Sequence, residues 1–239
     1  MHYDDSMQTA DFIFHPDLEY FLPQTSRGKT LHLAFEDHQS TKHLVESLGI
    51  PHVEVGQITA NDVPVDFRYL PKTGDRIHIL PVKPGCPVDP RFALDGHLGR
   101  LAAYLRMLGF DTLYRNHVQD EELAALAIED KRIMLTRDRR LLMRKSIEHG
   151  YCLRALKPHD QLSEVVKRFD LADRVNPFRR CLRCNGPLCE VDKKDILDRL
   201  LPLTKKYYDE FAFCPACNQV YWKGSHYEHM TTLIAQSIR

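Results

Sequence analysis

The chain has 239 residues, 43% of them hydrophobic, and its 33 Lys and Arg side chains balance 33 Asp and Glu side chains. This length and composition predict a folded globular protein with room for two modest domains. No apolar run approaches the length of a membrane-spanning helix, and the first residues lack the cationic and apolar parts of a signal peptide, so we expect a cytoplasmic protein without a membrane partner.

The neutral balance is an average over unlike parts of the chain. Residues 1–90 carry 7 Lys or Arg against 13 Asp or Glu, whereas residues 91–180 carry 18 against 13. The positive middle part predicts a polyanionic partner there. A chance imbalance among solvated helix faces is the alternative.

The first part of the chain predicts a β-grasp domain. ADFIFH (10–15) and TLHLAF (30–35) alternate as half-buried strands do, and HVEVGQITAN, VPV and DRIHILPV give further strand signals. Between them, Ser40 can cap a short helix that Gly49 can end in the left-handed conformation. This order predicts an antiparallel or mixed sheet with one helix across its face.

The end of this part resembles the ubiquitin-like and sulfur-carrier β-grasp proteins, through KTGDRIHILPV. Those carriers end in a free Gly-Gly, whereas this chain continues through PVKPGCPVD. We therefore expect an interaction module that binds a protein partner. The segment KPGCPVDP (83–90) holds three prolines and a glycine, which neither helix nor strand tolerates, and is the predicted linker.

From Arg91 the pattern alternates between short strands and helices, which predicts a parallel sheet covered on both sides. In the first helix Leu101 and Leu105 belong to the apolar face, and Arg100 and Arg106 are expected off that face. In the second helix Ile128 is expected to point inward. The predicted strands are RFAL (91–94), DTLYR (111–115), RIML (132–135) and YCLRAL, and the predicted helices are HLGRLAAYLRML, Asp120–Glu129, residues 138–148 and DQLSEVVKRF.

Three aspartates follow successive strands of this part. Asp95 comes after the first strand, Asp120 starts the helix after the second, and Asp138 comes after the third. These positions lie at the carboxyl edge of a parallel sheet, where ligands bind. Crowded carboxylates favour a hard divalent cation with oxygen ligands, so we predict a Mg²⁺ or Mn²⁺ site. The alternative is that each aspartate only caps the helix that follows it.

Several neighbours are candidates for the same site. Glu121 and Glu122 are candidates for a fourth ligand. Thr136 is expected to bond a turn or an acid through its hydroxyl group, with contact to metal or phosphate as the other interpretation. Guanidinium groups bind phosphate with paired hydrogen bonds, although a solvated helix position is the alternative for two of them. The candidates for substrate phosphate are Arg100, Arg106, Arg137, Arg139 and Arg140.

Two Cys-x-x-Cys motifs, CLRC (181–184) and CPAC (214–217), are separated by 29 residues. Two such turns supply the four thiolates of a closed structural zinc site. Asn185 and Asn218 follow them and can make the tight turns that aim backbone amides at sulfur. Disulfides and a thioredoxin-like redox pair are the alternatives. The predicted Zn²⁺ ligands are Cys181, Cys184, Cys214 and Cys217.

The intervening and following residues are less specific. DKKDILDRLL, between the two motifs, predicts a helix. Tyr221 and Trp222 follow the second motif in a segment that also contains cationic side chains. These aromatic rings can stack on unpaired RNA bases, or they can pack the ribbon onto the sheet.

Residues 91–230 resemble the Mut-seven C-terminal RNase domain family of PIN-like ribonucleases. The resemblance rests on RFALDGHLGRLAAYLRMLGFDT, DEELAALA and RIMLTRDRRL, and it extends through the cysteine motifs to VYWKGSHYEHM. LGRLA combined with LTRD is its most specific part. Several bacterial members of this family also carry a ubiquitin-like front domain.

The resemblance implies a fold and a chemistry. PIN-type domains hydrolyse RNA with clustered acids and Mg²⁺ or Mn²⁺, which carries over to Asp95, Asp120 and Asp138. The fuller set has a further acid after the third, where this chain has Arg140 and Leu141. The resemblance also includes the GSH motif, which implies that His226 lies beside the active crevice.

We therefore predict an α/β fold with three parts. Residues 1–85 form an α+β ubiquitin-like β-grasp domain, residues 90–178 a PIN-like parallel-sheet nuclease core, and residues 179–239 a four-cysteine zinc ribbon with a C-terminal segment. The predicted function is that of a metal-dependent ribonuclease. A non-catalytic RNA-binding adaptor and a hydrolase of small phosphorylated molecules are the alternatives.

Overall fold

The computed structural model describes residues 7–86, 88–224, 227, 228 and 232. The chain divides into two compact units. The first is Met1–Lys83 with Thr136–Cys152, and the second is Pro84–Leu135 with Leu153–Arg239. Among the residues described, no helix combines the length and the apolar character needed to cross a bilayer.

The secondary structure follows the predicted order, with short elements throughout. The strands are β1 (Gln8–Phe14), β2 (Leu31–Phe35), β3 (Val55–Ala60), β4 (Val63–Val65), β5 (Arg76–Pro81), β6 (Phe92–Leu94), β7 (Thr112–Tyr114), β8 (Ile133–Thr136), β9 (Gly150–Cys152), β10 (Cys189–Val191), β11 (Phe211–Phe213) and β12 (Val220–Trp222). The α-helices are α1 (Thr41–Ser47), α2 (Gly99–Met107), α3 (Asp120–Glu129), α4 (Arg139–Leu142), α5 (Pro158–Phe169) and α6 (Pro202–Tyr207). The 3₁₀ helices are Glu19–Phe21, Gln24–Ser26, His52–Glu54, Ala172–Arg174 and Lys193–Arg199.

The first unit contains the predicted mixed sheet, in the strand order β2-β1-β5-β3-β4. β1 is antiparallel to β2 and parallel to β5, and β3 is antiparallel to β4 and β5. Alternate residues of the strands face the core, as Phe12 in β1 and Ile77 and Ile79 in β5 do. The β-grasp prediction for this part is confirmed.

Helix α1 begins and ends where the sequence predicts. The Ser40 hydroxyl accepts a hydrogen bond from the His43 amide at 3.4 Å, and Gly49 has a φ of 88° just after the helix. Val45 in this helix and Ile50 just after it are fully buried. Local capping signals and the apolar stripe therefore specify this element together.

The helix predicted over residues 138–148 is wrong in length, because α4 ends at Leu142. Ile147 lies beyond it and is buried, and its carbonyl group lies 2.9 Å from His52 Nε2. Beyond Leu142 the amides of Arg144 and Ile147 bond to carbonyls three residues earlier, as in successive turns and not as in an α-helix. The contact with His52 lies within the first unit.

In the second unit, β6 lies between β7 and β8 and is parallel to both. All three residues of β6 are fully buried, and the Phe92 ring packs edge-on against Phe110 and Phe169. The parallel sheet predicted from the alternating strands and helices is confirmed. α3 has the predicted bounds, and α5 begins with Pro158 in its first turn, where proline costs no backbone hydrogen bond.

Two predicted helix faces need correction. Arg106 was expected off the apolar face of α2, but it is only 5% exposed. The buried aliphatic part of the side chain carries a guanidinium group whose hydrogen bonds are satisfied by backbone carbonyls. Ile128 was expected to point inward from α3 but is 45% exposed, because Leu123, Ala124 and Ala127 form the buried face.

The last part of the second unit is an antiparallel sheet of β10, β11 and β12, in that order. Ile196 and Leu200 pack onto Phe211 and Val220 of this sheet. The helix predicted for DKKDILDRLL is instead the 3₁₀ helix Lys193–Arg199, followed by α6. Pro202 explains the break, since the residue before a proline is disfavoured in the α conformation, and Leu201 has a ψ of 152°.

Candidate functional site

The four cysteines of the two Cys-x-x-Cys motifs form one cluster, with all sulfur atoms within 4.8 Å of one another. The Cys181 and Cys217 sulfurs are 3.5 Å apart, and those of Cys184 and Cys214 are 3.4 Å apart. A zinc tetrahedron with bonds of about 2.3 Å separates its sulfurs by about 3.8 Å. The cluster therefore fits a closed zinc site with four cysteine ligands.

Backbone turns bring the sulfurs together. In the first motif the Asn185 amide donates to the Cys181 carbonyl at 2.9 Å, and in the second the Asn218 amide donates to the Cys214 carbonyl at 2.8 Å. Asn185 and Asn218 have φ values of 68° and 59°, which asparagine adopts more readily than most residues. The predicted turn role of both asparagines is confirmed.

The thiol groups cannot all ionise easily by themselves. Burial raises the pKa of Cys217, and the neighbouring thiols of Cys184 and Cys181 contribute to a value of about 12. For Cys181, burial opposes ionisation, but hydrogen bonds from the Tyr221 hydroxyl and from backbone amides outweigh it and lower the pKa to about 6. A divalent cation among the sulfurs resolves this conflict, because it stabilises every thiolate.

Arg106 joins the first cysteine turn to the parallel sheet of the same unit. Its Nε donates to the Thr112 carbonyl at 3.0 Å, and its Nη1 donates to the Leu182 and Arg183 carbonyls at 3.0 and 3.2 Å. These bonds occupy a buried guanidinium group. The guanidinium group of Arg106 is therefore engaged within the second unit and is not free for a phosphate.

Asn185 and Asp111 make a second connection between the same parts. The Asn185 side chain accepts from the Thr112 amide at 2.9 Å and donates to Asp111 at 2.8 Å. Arg132 donates to Asp111 at 2.5 Å, and Arg180 lies 3.3 Å away. Burial opposes ionisation of Asp111, but the hydrogen bonds from Arg132 and Asn185 outweigh it and hold its pKa below the ordinary value.

Sequence reasoning missed the roles of Asp111, Arg132 and the Asn185 side chain. Asp111 and Arg132 each stand at the start of a predicted strand, where a charge is ordinarily solvated. Their partners lie far along the chain, 21 residues away for Arg132 and 74 for Asn185. No periodicity or local motif reports pairing over such separations.

The second unit contains two of the three predicted catalytic aspartates. Asp95 directly follows β6, and its Oδ1 accepts from the His97 amide at 2.9 Å. Asp120 is exposed at the first position of α3, after the N-cap residue Gln119, so it does not cap that helix. Within the described part of this unit, the cysteines are the only group of three or more His, Cys, Asp or Glu ligand atoms within 4.8 Å of one another.

The two glutamates beside Asp120 share the first turn of α3. Both are exposed in the first turn of α3, where acidic side chains favour the helix dipole. Glu122 lies 2.7 Å from Arg115 in an exposed ion pair, and Glu121 precedes it in the chain.

The first unit contains Asp138, which is the N-cap of α4. Its Oδ1 accepts from the Arg140 amide at 2.8 Å, and its own amide donates to the Thr136 hydroxyl at 2.9 Å. The local capping interaction considered for this aspartate is therefore present, and Thr136 bonds the turn as expected. Asp138 itself is exposed.

The arginines around Asp138 and along α2 have distinct environments. Arg137 and Arg140 are exposed, as is Arg100 in α2. Arg139 donates from Nη1 to the Phe21 carbonyl at 2.9 Å. The guanidinium groups of the exposed arginines are thus accessible to a phosphate, whereas that of Arg139 is engaged within the first unit.

A cavity of about 290 Å³ lies in the second unit beside the ribbon and has a mainly apolar lining. The Trp222 ring lies 6.5 Å from Phe211, and the Tyr221 hydroxyl lies 3.1 Å from the Cys181 sulfur. Both contacts lie within the ribbon itself. His226 lies outside the described residues. The aromatic residues lining the cavity are Phe178, Tyr208, Tyr221, Trp222 and Tyr227.

Comparison with known proteins identifies both parts of the chain. No curated protein and no solved structure matches it. The family model described as Mut7-C ubiquitin matches residues 7–85, and the one described as Mut7-C RNAse domain matches residues 90–234. The chain therefore belongs to the Mut7-C RNAse domain family and carries the ubiquitin-like domain of that family at its front.

Proposed function

We propose that the chain is a metal-dependent ribonuclease that hydrolyses phosphodiester bonds of RNA. The observation that carries this proposal is the Mut7-C RNAse domain match over residues 90–234, which includes all three predicted catalytic aspartates. The positive charge of residues 91–180 supports a polyanionic substrate. The proposed location is the cytoplasm, where reducing conditions keep cysteines available as metal ligands.

The proposed ligands of a Mg²⁺ or Mn²⁺ ion are Asp95, Asp120 and Asp138. The strand register supports this choice, because Leu94 of β6 pairs with Leu135 of β8 in a parallel ladder. The chain segments that lead to Asp95 and Asp138 thus leave the same edge of the sheet. A bound divalent cation supplies an activated water and neutralises charge on the scissile phosphate.

The protein's own groups have supporting roles in this proposal. The hydrogen bonds from His97 N to Asp95 and from Arg140 N to Asp138 each fix one carboxylate oxygen and so orient the side chain. The exposed guanidinium groups of Arg100, Arg137 and Arg140 bind the RNA backbone. Glu121 and Glu122 remain proposed as additional carboxylates, and His226 as a neighbour of the site.

We assign a structural role to zinc at the four cysteines. A closed site with four thiolate ligands leaves no coordination position for substrate. Zinc there stabilises the fold of the ribbon and takes no part in catalysis. The front domain is proposed to bind a protein partner, as ubiquitin-like domains present a folded surface for such contacts.

The test is RNA cleavage by the purified full chain with Mg²⁺ or Mn²⁺ on unstructured RNA. Asp95→Asn and Asp138→Asn should each lower the rate by about 100-fold or more, since each removes a charge at the proposed metal. Asp66→Asn is the matched control. Asp66 accepts a hydrogen bond from the amide two residues later, at 2.8 Å. Asp95 and Asp138 make the same type of bond, but Asp66 lies in the β-grasp domain, directly after β4.

Three results would contradict the proposal. RNA binding without cleavage, unchanged by Asp138→Asn, would indicate a non-catalytic adaptor. Preferential hydrolysis of small phosphoesters, when they compete with RNA for the protein, would indicate a hydrolase of small phosphorylated molecules. Equal rates for the Asp95 and Asp66 variants would show that Asp95 only holds its turn.

A further inference from the structure

The segment that carries Asp138 is part of the first unit, together with the β-grasp domain. This segment, Thr136–Cys152, contains α4 and β9. Three contacts at separate points along it bind it to the β-grasp residues. All three contacts lie within the first unit.

The first contact is made by Arg139, the residue directly after Asp138. Its Nη1 donates to the Phe21 carbonyl at 2.9 Å, and its guanidinium carbon lies 5.1 Å from the centre of the Phe21 ring and 5.5 Å from that of Tyr20. The group also lies against Gly49, where an added Cβ would be 3.5 Å from Nη1. A planar cation stacked on rings and bonded to a carbonyl is well suited to fix its own backbone.

The second and third contacts hold the remainder of the segment. His52 lies 2.9 Å from the Ile147 carbonyl through Nε2 and 2.7 Å from Glu46 through Nδ1. Glu54 is only 3% exposed, and its carboxylate accepts from the Cys152 amide at 2.6 Å. His52 and Glu54 belong to one 3₁₀ helix of the β-grasp domain. The segment is therefore held by one contact near its start, one near its end and one at its last residue.

We propose that the β-grasp domain is a positioning element for Asp138, and that Arg139 is the positioning residue. Asp138 has its Oδ1 on the Arg140 amide, so the orientation of its carboxylate follows the backbone that Arg139 holds. The consequence for metal binding rests on the proposed ribonuclease function. Arg139 acts through Asp138 and does not contact the RNA.

Two Arg139 variants test this in the full chain. Arg139→Ala removes the hydrogen bond and the stacking, whereas Arg139→Lys keeps the charge and loses the planar group. Lys145→Ala is the matched control, because Lys145 is an exposed cation of the same segment. Hydrogen exchange of the Arg140 and Met143 amides, which bond Asp138 and the Arg139 carbonyl, should become about 10-fold faster in Arg139→Ala, change less in Arg139→Lys, and stay unchanged in Lys145→Ala.

Cleavage kinetics supply the second measurement. The Mn²⁺ concentration for half-maximal cleavage should rise about 10-fold in Arg139→Ala, as is usual when a group that orients a metal ligand is lost, while KM for RNA stays unchanged. A raised KM for RNA with an unchanged Mn²⁺ midpoint would overturn positioning in favour of a phosphate contact. Exchange equal to that of Lys145→Ala would overturn the anchoring. A wild-type protein that cuts no RNA would defeat the proposed function, and exchange would still decide whether Arg139 anchors the segment.

Discussion

The cysteine cluster and the predicted catalytic aspartates are organised in different ways. The four sulfurs lie within 4.8 Å of one another, held by backbone turns and by side chains that connect them to the parallel sheet. Asp95 and Asp138 each bond to a backbone amide two residues later in the chain. The fold thus brings the four thiols close together, whereas each of these two aspartates bonds its own turn. Removing a metal ion from the cysteines should therefore lower the stability of the fold. Removing one from the aspartates should lower the rate of cleavage.

The largest effect on stability should follow from breaking the thiol site. Cys214→Ser removes a fully buried ligand, and structural zinc contributes about 10 kcal/mol or more of binding free energy to folding. We expect the ribbon to lose its cooperative unfolding transition in calorimetry, and a chelator to do the same to the wild type. Cys189→Ser is the control, because Cys189 is exposed and outside the cluster. Equal melting temperatures for the two variants would refute a structural zinc site.

The next largest effect should come from Arg106, which connects the first cysteine turn to the sheet. Arg106→Ala leaves three backbone carbonyls without their charged donor, which should cost about 3 kcal/mol. Arg100→Ala, an exposed change on the same helix, should alter stability by less than about 0.5 kcal/mol. The measurement is the urea concentration at half-unfolding. Similar midpoints would mean that the cysteine turn does not depend on the sheet.

The third prediction concerns Asp111 and the dependence of stability on pH. Its pKa in the folded chain is lowered from 3.8, so its stabilising contribution is present above pH 3.8 and is lost as the pH falls through the lower folded value. Asp111→Asn should destabilise the protein by about 1–3 kcal/mol at pH 7, and the difference should close below pH 3.8. The measurement is the free energy of unfolding against pH. A difference that stays constant from pH 7 down through the folded pKa would show that charge is not the cause.

Much of this comparison could be predicted from local sequence signals. Cysteine spacing identified the four-cysteine cluster, and Ser40 with Gly49 identified the ends of α1. The signals are local because capping groups and Cys-x-x-Cys turns act within a few residues. The same locality explains why α3 was placed at its observed bounds.

The parts that sequence analysis missed depend on contacts between distant residues. Arg106 was predicted off the buried face because its carbonyl partner Leu182 is 76 residues away. The helix after Asp138 was predicted too long, and the Ile147 carbonyl beyond the observed helix contacts His52, which is 95 residues away in the chain. Propensity and periodicity describe one element at a time, and neither contains the identity of a distant partner.

The smallest effect on stability is expected at Asp138, and it separates the structural role of this side chain from the proposed catalytic one. Asparagine caps helices about as well as aspartate, so Asp138→Asn should change the free energy of unfolding by less than about 0.5 kcal/mol, whereas Asp138→Ala should cost about 1 kcal/mol. Thermal unfolding of both variants checks this. If Asp138→Asn is as stable as the wild type and loses cleavage, the carboxylate charge is needed for the reaction alone. If Asp138→Asn is as unstable as Asp138→Ala, the charge also contributes to the fold, and the contrast with the thiol site weakens.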